Sequence, residues 1–372
     1  MSRIFLIADS RSRVSPQDLD VINRHKLYLT ALNRFPGYED STLLIIQPSI
    51  RLFRNVQTDF EKLSIQKLSI FGLLGFGFSL RKNKILPSGI IAGDPWVSFL
   101  FAQLIRRLSF TQGIPLQVQF HAELSEKWVN TSVLNKLKFK ALPYVLKRSE
   151  SIRLVSKDQE VFLSDVRNFQ REKTVCIPVP LNGEISTQFR MNTRSNRVIA
   201  FVGRIQTERN VELFVELVGY FISRDPSIAV YVIGDGPEFD FLKIELGNIS
   251  GGKIEFFGHL SARDLTKTWK KISVLISTAP TESYGRAMRE ALCNGTSVLA
   301  LKSSGSVRLM SECTTGVELF TEIDSLQSIY TKLQKLFFEK PNYEFIEYQS
   351  RLESSIPGEI ANSWVTMATE ES

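Results

Sequence analysis

Residues 274–295 read VLISTAPTESYGRAMREALCNG. The apolar residues 274–276 predict a short strand, and the polar turn after them leads directly into a helical segment. Gly295 stands just past that segment, where a glycine in the left-handed conformation commonly ends a helix. The stretch therefore predicts a strand, a loop and a helix in immediate succession.

The start of this helix has the groups that a nucleotide sugar requires. Gly285 leaves room for close approach of the backbone, and the free N–H groups of the first turn, near Gly285 to Ala287, form an anion site. Glu290 lies about one turn further along, where its carboxylate can accept hydrogen bonds from vicinal hydroxyls. Taken alone, Glu282 and Glu290 are typical of a solvated helix face, so the assignment depends on a second corner upstream.

The second corner follows an apolar strand at residues 199–202, which ends in Gly203-Arg204. Apolar residues at helical spacing begin again at Val211, and the loop between carries Arg204 and Arg209. In an open α/β sheet, ligands bind at the carboxyl ends of strands. We therefore expect both guanidinium groups to bind a diphosphate through charge-assisted hydrogen bonds.

Four sets of residues, taken together and in this order, resemble the C-terminal half of family 4 of the retaining glycosyltransferases. They are Phe201-Val202-Gly203-Arg204 with Arg209, Gly234-Asp235-Gly236-Pro237, Phe257-Gly258, and Glu282 followed after seven residues by Glu290 and then by Gly295. The first half of the chain is matched more weakly, through Asp94-Pro95, His121 at the end of 116–120, and Ile177-Pro178-Val179-Pro180. The resemblance implies an α/β chain of the GT-B fold, with two Rossmann-like, doubly wound parallel-sheet domains facing each other across a cleft.

The same resemblance assigns roles to individual residues. It implies that Glu290 holds the ribose hydroxyls, while Glu282 and the backbone of Tyr284 and Gly285 hold the donor sugar. His121 would contact the donor sugar at the cleft floor, and a structural role is the alternative for this histidine. The predicted catalytic residues are Glu282, His121, Arg204 and Arg209. The predicted nucleotide-sugar-binding residues are Gly203, Arg204, Arg209, Tyr284, Gly285, Arg286 and Glu290.

No metal ion and no cofactor are expected. Breaking a glycosyl–phosphate bond leaves negative charge on the departing diphosphate, and Arg204, Arg209 and the helix start at Gly285 supply positive charge to stabilise it. The segment Asp18-Leu19-Asp20 is expected on a helix surface rather than around a metal ion. By the resemblance, retention proceeds on one face of the sugar, where a donor phosphate oxygen takes the acceptor's proton without an enzymic nucleophile.

The chain also departs from the family pattern. Arg209 stands where the family commonly has lysine, which keeps the charge but changes the hydrogen-bond geometry. After the first strand, Asp9-Ser10-Arg11-Ser12-Arg13 replaces a glycine-rich loop, so acceptor contacts are not carried over. Gly305 stands where the family commonly has a pair of glycines near the nucleotide.

Length and composition fit a folded chain of two domains. The 372 residues are 43% hydrophobic and 23% charged, which is enough apolar material for two cores. We expect domains at 1–185 and 196–350, with 351–372 crossing back onto the first domain and a final helix at 359–369. Strands are predicted at 4–8, 43–47, 89–92, 116–120, 152–155, 175–179, 198–202, 229–233, 254–257, 274–277 and 298–301.

Charge and cysteine content predict the surroundings of the protein. The formal net charge is +7, and no nucleic-acid-binding motif accompanies it, so no nucleic-acid partner is expected. Basic residues between Lys136 and Arg148 lie beside Leu134 and Leu137, a pattern typical of an amphipathic helix at an anionic membrane surface. A solvated helix face is the alternative. Three scattered cysteines and no recognisable signal peptide predict buried thiols in a cytoplasmic protein. The amphipathic helix would make it peripheral at the inner face of the plasma membrane.

The resemblance and the charge pattern together predict a retaining, metal-independent hexosyltransferase. It would move a sugar from a UDP- or GDP-sugar donor to a lipid-linked saccharide or glycolipid acceptor in cell-envelope polysaccharide biosynthesis. Two alternatives come from other classes. A GT-B nucleotide-sugar epimerase would turn over without an acceptor, and a catalytically silent scaffold would bind nucleotide without transferring sugar.

Overall fold

A computed structural model describes residues 3–9, 19–48, 56–108, 113–130, 132–181, 185 and 197–369. The chain divides into two compact units, one formed by Met1–Pro178 with Ser355–Ser372 and the other by Val179–Ser354. Each unit contains one sheet with helices packed on it, and the predicted α/β class with two largely parallel sheets is confirmed. The side chains of Asp18 and Asp20 and the segment 10–13 lie outside the described residues.

The first unit is built on one mixed sheet. Its strands are β1 (Ile4–Ala8), β2 (Thr42–Pro48), β3 (Val56–Phe60), β4 (Leu63–Leu68), β5 (Gly89–Ala92), β6 (Leu116–Phe120), β7 (Ser151–Leu154) and β8 (Thr174–Cys176). Its helices are α1 (Leu19–Leu32), α2 (Ile70–Lys82), α3 (Val97–Leu108), α4 (Glu126–Asn130), α5 (Val133–Lys147) and α6 (Lys157–Ser164). The described strands lie in the order β3-β4-β2-β1-β5-β6-β7-β8. Every residue of β5 and β6 is buried, as expected for central strands covered on both faces.

The sequence prediction omits the edge hairpin of this sheet. β3 pairs antiparallel with β4, whereas the other neighbouring strands are parallel. The turn between them carries Glu61 at φ +48°, without the glycine or asparagine that usually marks such a turn. The predicted strand 175–179 also ends early, at Cys176, because Pro178 and Pro180 cannot donate to a neighbouring strand.

The second unit has a wholly parallel sheet. Its strands are β9 (Val198–Val202), β10 (Ala229–Ile233), β11 (Lys253–Gly258), β12 (Val274–Ser277), β13 (Ser297–Leu301) and β14 (Val317–Phe320). Its helices are α7 (Val211–Arg224), α8 (Phe239–Gly247), α9 (Ala262–Trp269), α10 (Arg286–Cys293), α11 (Ser304–Glu312) and α12 (Leu326–Phe338). The prediction omits β14, a strand of four residues that includes Glu318.

The strand order in this unit, β11-β10-β9-β12-β13-β14, reverses direction between β9 and β12. From β9 the chain moves outward to β10 and β11, then returns to β12 on the other side of β9. The loops that leave β9 and β12 therefore part to opposite sides of the sheet. In open α/β sheets this switch point is where ligands bind, at the carboxyl ends of the strands.

The last helix, α13 (Tyr343–Thr369), has 27 residues and begins well before the predicted segment 359–369. It continues through Pro357, a residue type that usually ends or kinks a helix because it has no N–H to donate. The part from Ser355 onward belongs to the first unit, and the part before it belongs to the second. One helix thus contributes to both units.

Trp364 attaches the end of α13 to the first sheet. Its ring is fully buried, stacks on Phe5 with centroids 5.9 Å apart, and meets Tyr28 edge-on at 6.0 Å. Its Nε1 donates to Gln117 Oε1 at 3.2 Å, and Gln117 Nε2 donates to Ser363 Oγ at 3.2 Å. Aromatic packing and hydrogen bonds therefore join this helix to β1, α1 and β6.

We expect Trp364→Ala to lower the free energy of unfolding of the first unit by about 3–5 kcal/mol, because it removes a fully buried ring and a donor to Gln117. Trp364→Phe keeps much of the ring packing and is expected to cost less. Urea denaturation followed by circular dichroism measures both. The half-exposed Tyr348 on the same helix provides the control, and an equal loss in Tyr348→Ala would contradict this account of Trp364.

Candidate functional site

Direct contact between peptide groups holds together the loops at the carboxyl edge of the second sheet. The Gly203 N–H donates to Ile233 O at 3.0 Å, and the Gly234 N–H donates to Gly258 O at 2.8 Å. A Cβ atom on Gly234 would lie 1.8 Å from Gly203 O, and one on Gly236 would lie 2.1 Å from the carbonyl oxygen of Ile205. No side chain fits at either position, so the glycines of these loops are required by close backbone approach.

The loop after β9 carries Arg204 and Arg209, and β12 fixes its end. Thr278 Oγ1, just past β12, donates to Arg209 O at 2.7 Å. Asn210 adopts φ +49°, and its side chain accepts from the Leu213 N–H, so α7 begins immediately after Arg209. Arg204 is exposed and has no ion pair with any residue in the described part of the chain. The two arginines predicted to bind a diphosphate are thus brought to the switch point.

Arg209 is paired with Glu282. Its Nη1 lies 2.5 Å from Glu282 Oε2, and both side chains are partly buried. The other carboxylate oxygen of Glu282 accepts from the Gly285 N–H at 3.4 Å. A cation from the loop after β9 and an anion from the loop after β12 therefore meet, and both line a small cavity of about 20 Å³.

The loop that contains Glu282 and Tyr284 is fixed from α11 as well. The Gly305 N–H donates to Glu282 O at 2.6 Å, and a Cβ atom on Gly305 would lie 2.6 Å from the same oxygen. Gly285 adopts φ +73° at the start of α10, and Gly295 adopts φ +73° just past its end, where the sequence predicts a left-handed cap. The predicted succession of strand, loop and helix is confirmed.

Glu290 and Arg286 form a second pair, one turn into α10. Arg286 Nε donates to Glu290 Oε1 at 3.0 Å, and the Glu290 side chain is 7% exposed. Arg286 Nη2 is buried and has no hydrogen-bond partner among the described residues. A buried donor without a partner lowers stability unless another group accepts from it. Predicted site residues of the second unit therefore pair with one another, Arg209 with Glu282 and Arg286 with Glu290.

Arg289, the residue that most constrains this loop, is not among the site residues predicted from the sequence. Its guanidinium group is 1% exposed, and its Nε donates to Tyr284 O at 3.1 Å. Its Nη1 donates to Gln349 Oε1 at 3.0 Å, and its Nη2 lies 2.6 Å from Glu312 Oε2. It also lies 4.2 Å from the centroid of the Tyr284 ring. The sequence signal that marks Arg289 is a charged residue between the apolar Met288 and Ala291.

Burial sets the ionisation of the groups around Arg289. It raises the pKa of Tyr284 to about 12, so the phenol is neutral and accepts a hydrogen bond from Gln349 Nε2 at 3.2 Å. Burial also raises the pKa of Glu353, although the Leu181 N–H and Gln349 Nε2 donate to its carboxyl group. Burial raises the pKa of the Cys293 thiol, which is one of the thiols predicted to be buried.

Cys313 is also buried, but Cys176 is only half-buried, so the prediction of buried thiols is wrong for that residue. All three cysteines are thiols and none forms a disulfide. In the described part of the chain, no group of three or more His, Cys, Asp or Glu side chains is arranged to hold a metal ion.

His121 and Asp94 belong to the first unit, and the other predicted site residues belong to the second. His121 follows β6, is half-buried, and its Nε2 lies 3.0 Å from Gln119 Oε1. Asp94 accepts from the Trp96 N–H at 2.8 Å, just before α3 begins. The contact of His121 with a donor sugar stays a prediction.

Residues 186–350 match the family described as Glycosyl transferases group 1. The match covers less than half of the chain, and the matched residues are called the group 1 segment below. Over 125 residues, the chain is 25% identical to a GDP-mannose-dependent alpha-mannosyltransferase of Corynebacterium glutamicum, and the match covers 34% of this chain and 28% of the relative. The chain spans less than a third of the length of the curated relatives it matches.

Solved structures resemble the chain over nearly its whole length. HepE from Anabaena, in complex with UDP and glucose, has a TM-score of 0.62 at 15% identity and covers 100% of this chain and 98% of its own. WaaG, a glycosyltransferase involved in lipopolysaccharide biosynthesis, has a TM-score of 0.65 at 11% identity and covers 96% of this chain and 98% of its own. These likenesses confirm the predicted GT-B fold.

We expect Arg289→Met to destabilise the group 1 segment by about 3–5 kcal/mol, because Glu312 and the Tyr284 carbonyl lose a buried charged partner. The double variant Arg289→Met with Glu312→Leu should recover part of this loss. Urea denaturation of the single and double variants measures their free energies of unfolding. Hydrogen exchange at residues 283–286 measures how often the loop opens. Arg351→Met, at an exposed position of α13, is the control. The role given to Arg289 would be contradicted if the losses of stability caused by the two substitutions simply add. Unchanged hydrogen exchange in the loop would contradict it as well.

Proposed function

We propose that the protein is a glycosyltransferase that takes its sugar from a nucleotide-sugar donor. One observation carries the proposal: the group 1 segment places Arg209, Glu282, Arg286 and Glu290 around the switch point of an open parallel sheet. The loops that hold them are fixed by backbone contacts. Such preorganisation is what electrostatic stabilisation of a departing diphosphate requires.

The diphosphate lies against Arg204, Arg209 and the first turn of α10. Arg204 is exposed without an ion pair in the described residues, and Arg209 exchanges its partner Glu282 for a phosphate oxygen. Arginine suits this exchange because its planar group can donate two parallel hydrogen bonds to phosphate. The cationic groups and the helix start supply the positive charge that a metal ion provides elsewhere, so the proposed reaction is metal-independent.

Glu290 binds the ribose, and Glu282 with the backbone at Gly285 binds the sugar. A carboxylate that accepts from hydroxyl groups gains more when it is shielded from water, and Glu290 is mostly buried. Retention of configuration, as in the resemblance to family 4, fits a site with no enzymic nucleophile at the sugar. A UDP- or GDP-sugar is proposed as the donor, since the similar HepE structure contains UDP and the similar mannosyltransferase is named for GDP-mannose.

The acceptor is proposed to be a lipid-linked saccharide or glycolipid of the cell envelope. The predicted helix at 134–148 is present as α5, but Leu142 and Val145 lie in the core. Val133, Leu134 and Leu137 are 76%, 59% and 58% exposed. These three apolar residues are interleaved with exposed lysines, a combination that favours the surface of an anionic bilayer. The exposed lysines are Lys136, Lys140 and Lys147.

No helix in the described part of the chain is both long and apolar enough to cross a bilayer. The proposed attachment at α5 therefore involves the surface of the bilayer. WaaG, one of the structures similar to this chain, is named as taking part in lipopolysaccharide biosynthesis, which supports an acceptor of this class.

Thermal-shift titration with UDP, GDP and ADP, without metal and then with EDTA, tests the donor site. At about a hundredfold over its dissociation constant, the cognate nucleotide should stabilise by roughly 2.7 kcal/mol, or about 5–10 °C for a unit of this size. Arg204→Ala and Glu290→Ala should lose that shift, because they remove phosphate and ribose contacts. Glu282→Gln should keep or increase it, because a carboxylate that competes for Arg209 is gone. Arg263→Ala, at an exposed position of α9, is the control.

The same preparation is then assayed with nucleotide sugars and lipid-linked acceptors. Transfer that is unaffected by EDTA and yields the donor's anomeric configuration supports the proposal. Turnover of the nucleotide sugar without acceptor would indicate an epimerase, and binding without transfer to any acceptor would indicate a scaffold. A folded protein that no nucleotide stabilises would overturn the donor site.

Vesicle co-sedimentation tests the membrane surface. The protein should bind vesicles that contain phosphatidylglycerol and release them as salt increases, because the lysines of α5 contribute about 1 kcal/mol each near an anionic surface. Leu134→Ser with Leu137→Ser should weaken binding several-fold. Val161→Ser changes an equally exposed apolar residue of α6 in the same unit and serves as the matched control. Equal binding by both variants would contradict a docking role for α5.

A further inference from the structure

A chain of buried amide groups runs behind His121 in the first unit. Gln117 and Gln119 lie two residues apart on β6, so their side chains point to the same face of the sheet, and both are buried. His121 follows two residues later. On β7, Ser151 is the neighbour of Gln117 and Arg153 is the neighbour of Gln119. The polar face of β6 thus leads from the core to the histidine.

Arg153 determines which atom of Gln119 faces it. Arg153 is fully buried, and it donates to Ile177 O at 3.2 Å, to Pro178 O at 2.7 Å and to Gln119 Oε1 at 3.4 Å. A guanidinium group has donors and no acceptor, so the Gln119 atom beside it must be the carbonyl oxygen. Burial lowers the pKa of Arg153, but arginine keeps its proton in proteins, and the orientation of the amide is therefore fixed.

The other end of the chain is fixed in the same way. Trp364 Nε1 can only donate, and it lies 3.2 Å from Gln117 Oε1. Gln117 Nε2 therefore points to Ser151 Oγ and Ser363 Oγ, at 3.1 and 3.2 Å. Gln119 Nε2 donates to Gln117 Oε1 at 3.3 Å, which agrees with the orientation that Arg153 imposes. Two donor-only groups thus determine both amides independently.

The oxygen of Gln119 that accepts from Arg153 also determines which nitrogen of His121 carries the proton. Its Nε2 lies 3.0 Å from Gln119 Oε1, the atom that also accepts from Arg153. Because this oxygen can only accept, the histidine nitrogen must carry the proton. We propose that Gln119, anchored by Arg153, is a positioning residue that holds His121 in its Nε2–H tautomer and in one ring orientation. Its effect on catalysis rests on the proposed function and on the expectation, from the family resemblance, that His121 contacts the donor sugar.

Nitrogen NMR of the whole protein, labelled with ¹⁵N-histidine, tests the tautomer directly. At pH 8, the two ring nitrogens of His121 should show the separate shifts of one protonated and one unprotonated atom, with the proton on Nε2. Gln119→Met removes the acceptor and should move both shifts toward the average of two tautomers. Gln119→Glu keeps an oxygen for Arg153 and for His121 and should restore the separate shifts. The His121→Asn spectrum assigns the signals, since the chain has three histidines.

Gln103→Met is the matched control. Gln103 is a half-buried glutamine of α3 in the same unit, and its Nε2 has no hydrogen-bond partner in the described residues. In the transfer assay, Gln119→Met should lower kcat about 10- to 100-fold with a smaller change in the donor KM, because a misplaced group mainly affects the reacting geometry. Gln119→Glu should recover most of kcat, and Gln103→Met should match the wild type.

Two results would overturn the proposal. One is a proton on Nδ1, or averaged shifts, in the wild-type protein at pH 8. The other is a folded Gln119→Met variant that keeps the wild-type tautomer, and a variant with an altered tautomer but wild-type kcat would overturn the effect on catalysis. A wild-type protein that transfers no sugar would contradict the proposed function, and the NMR comparison would still decide whether Gln119 sets the tautomer.

Discussion

Peptide groups that touch without room for a side chain are the constraint on which the second unit depends. The close approaches at Gly234 and Gly236 join the loops after β9, β10 and β11 through their backbones. Hydrogen bonds between peptide groups do not rely on rotamers, so the loop that carries Arg204 and Arg209 has few ways to move. Gly305 places α11 against Glu282 by the same means. The charged side chains therefore project from a framework that is already fixed.

The predicted site residues of the second unit form ion pairs with each other, and this affects how an anionic ligand is recognised. Partly buried pairs such as Arg209 with Glu282 cost desolvation energy, which their attraction offsets. In the proposed function, a diphosphate that replaces Glu282 would find an arginine whose position is already set, so little ordering would remain to be done. The displaced carboxylate would then need a new partner, and sugar hydroxyl groups would provide it. Charge exchange of this kind favours a ligand that has phosphates and hydroxyls together.

Much of this arrangement could be predicted from the sequence, because continuous apolar runs such as 198–202 and 229–233 mark buried parallel strands. Glycines and charged residues after these runs marked the loops that carry the predicted site residues. Short or polar strands such as β3 and β14 lack such an apolar run and were not predicted. The full length of α13 was not predicted either, because the helix continues through Pro357. The pairing of Gln117 with Trp364 joins residues far apart in the chain, and the partners of Arg289 lie on three different helices or loops. Such contacts depend on tertiary structure, which periodicity does not describe.

The division of α13 between the units has a consequence for the order in which the protein is completed during synthesis. The second unit is one continuous segment, Val179–Ser354, whereas the first needs residues on both sides of it. Domains generally fold as their residues emerge from the ribosome. The first unit therefore begins to emerge earliest but is finished last, since Phe5, Tyr28 and Gln117 await Trp364. Until then, an apolar surface on the nascent chain is open to chaperones.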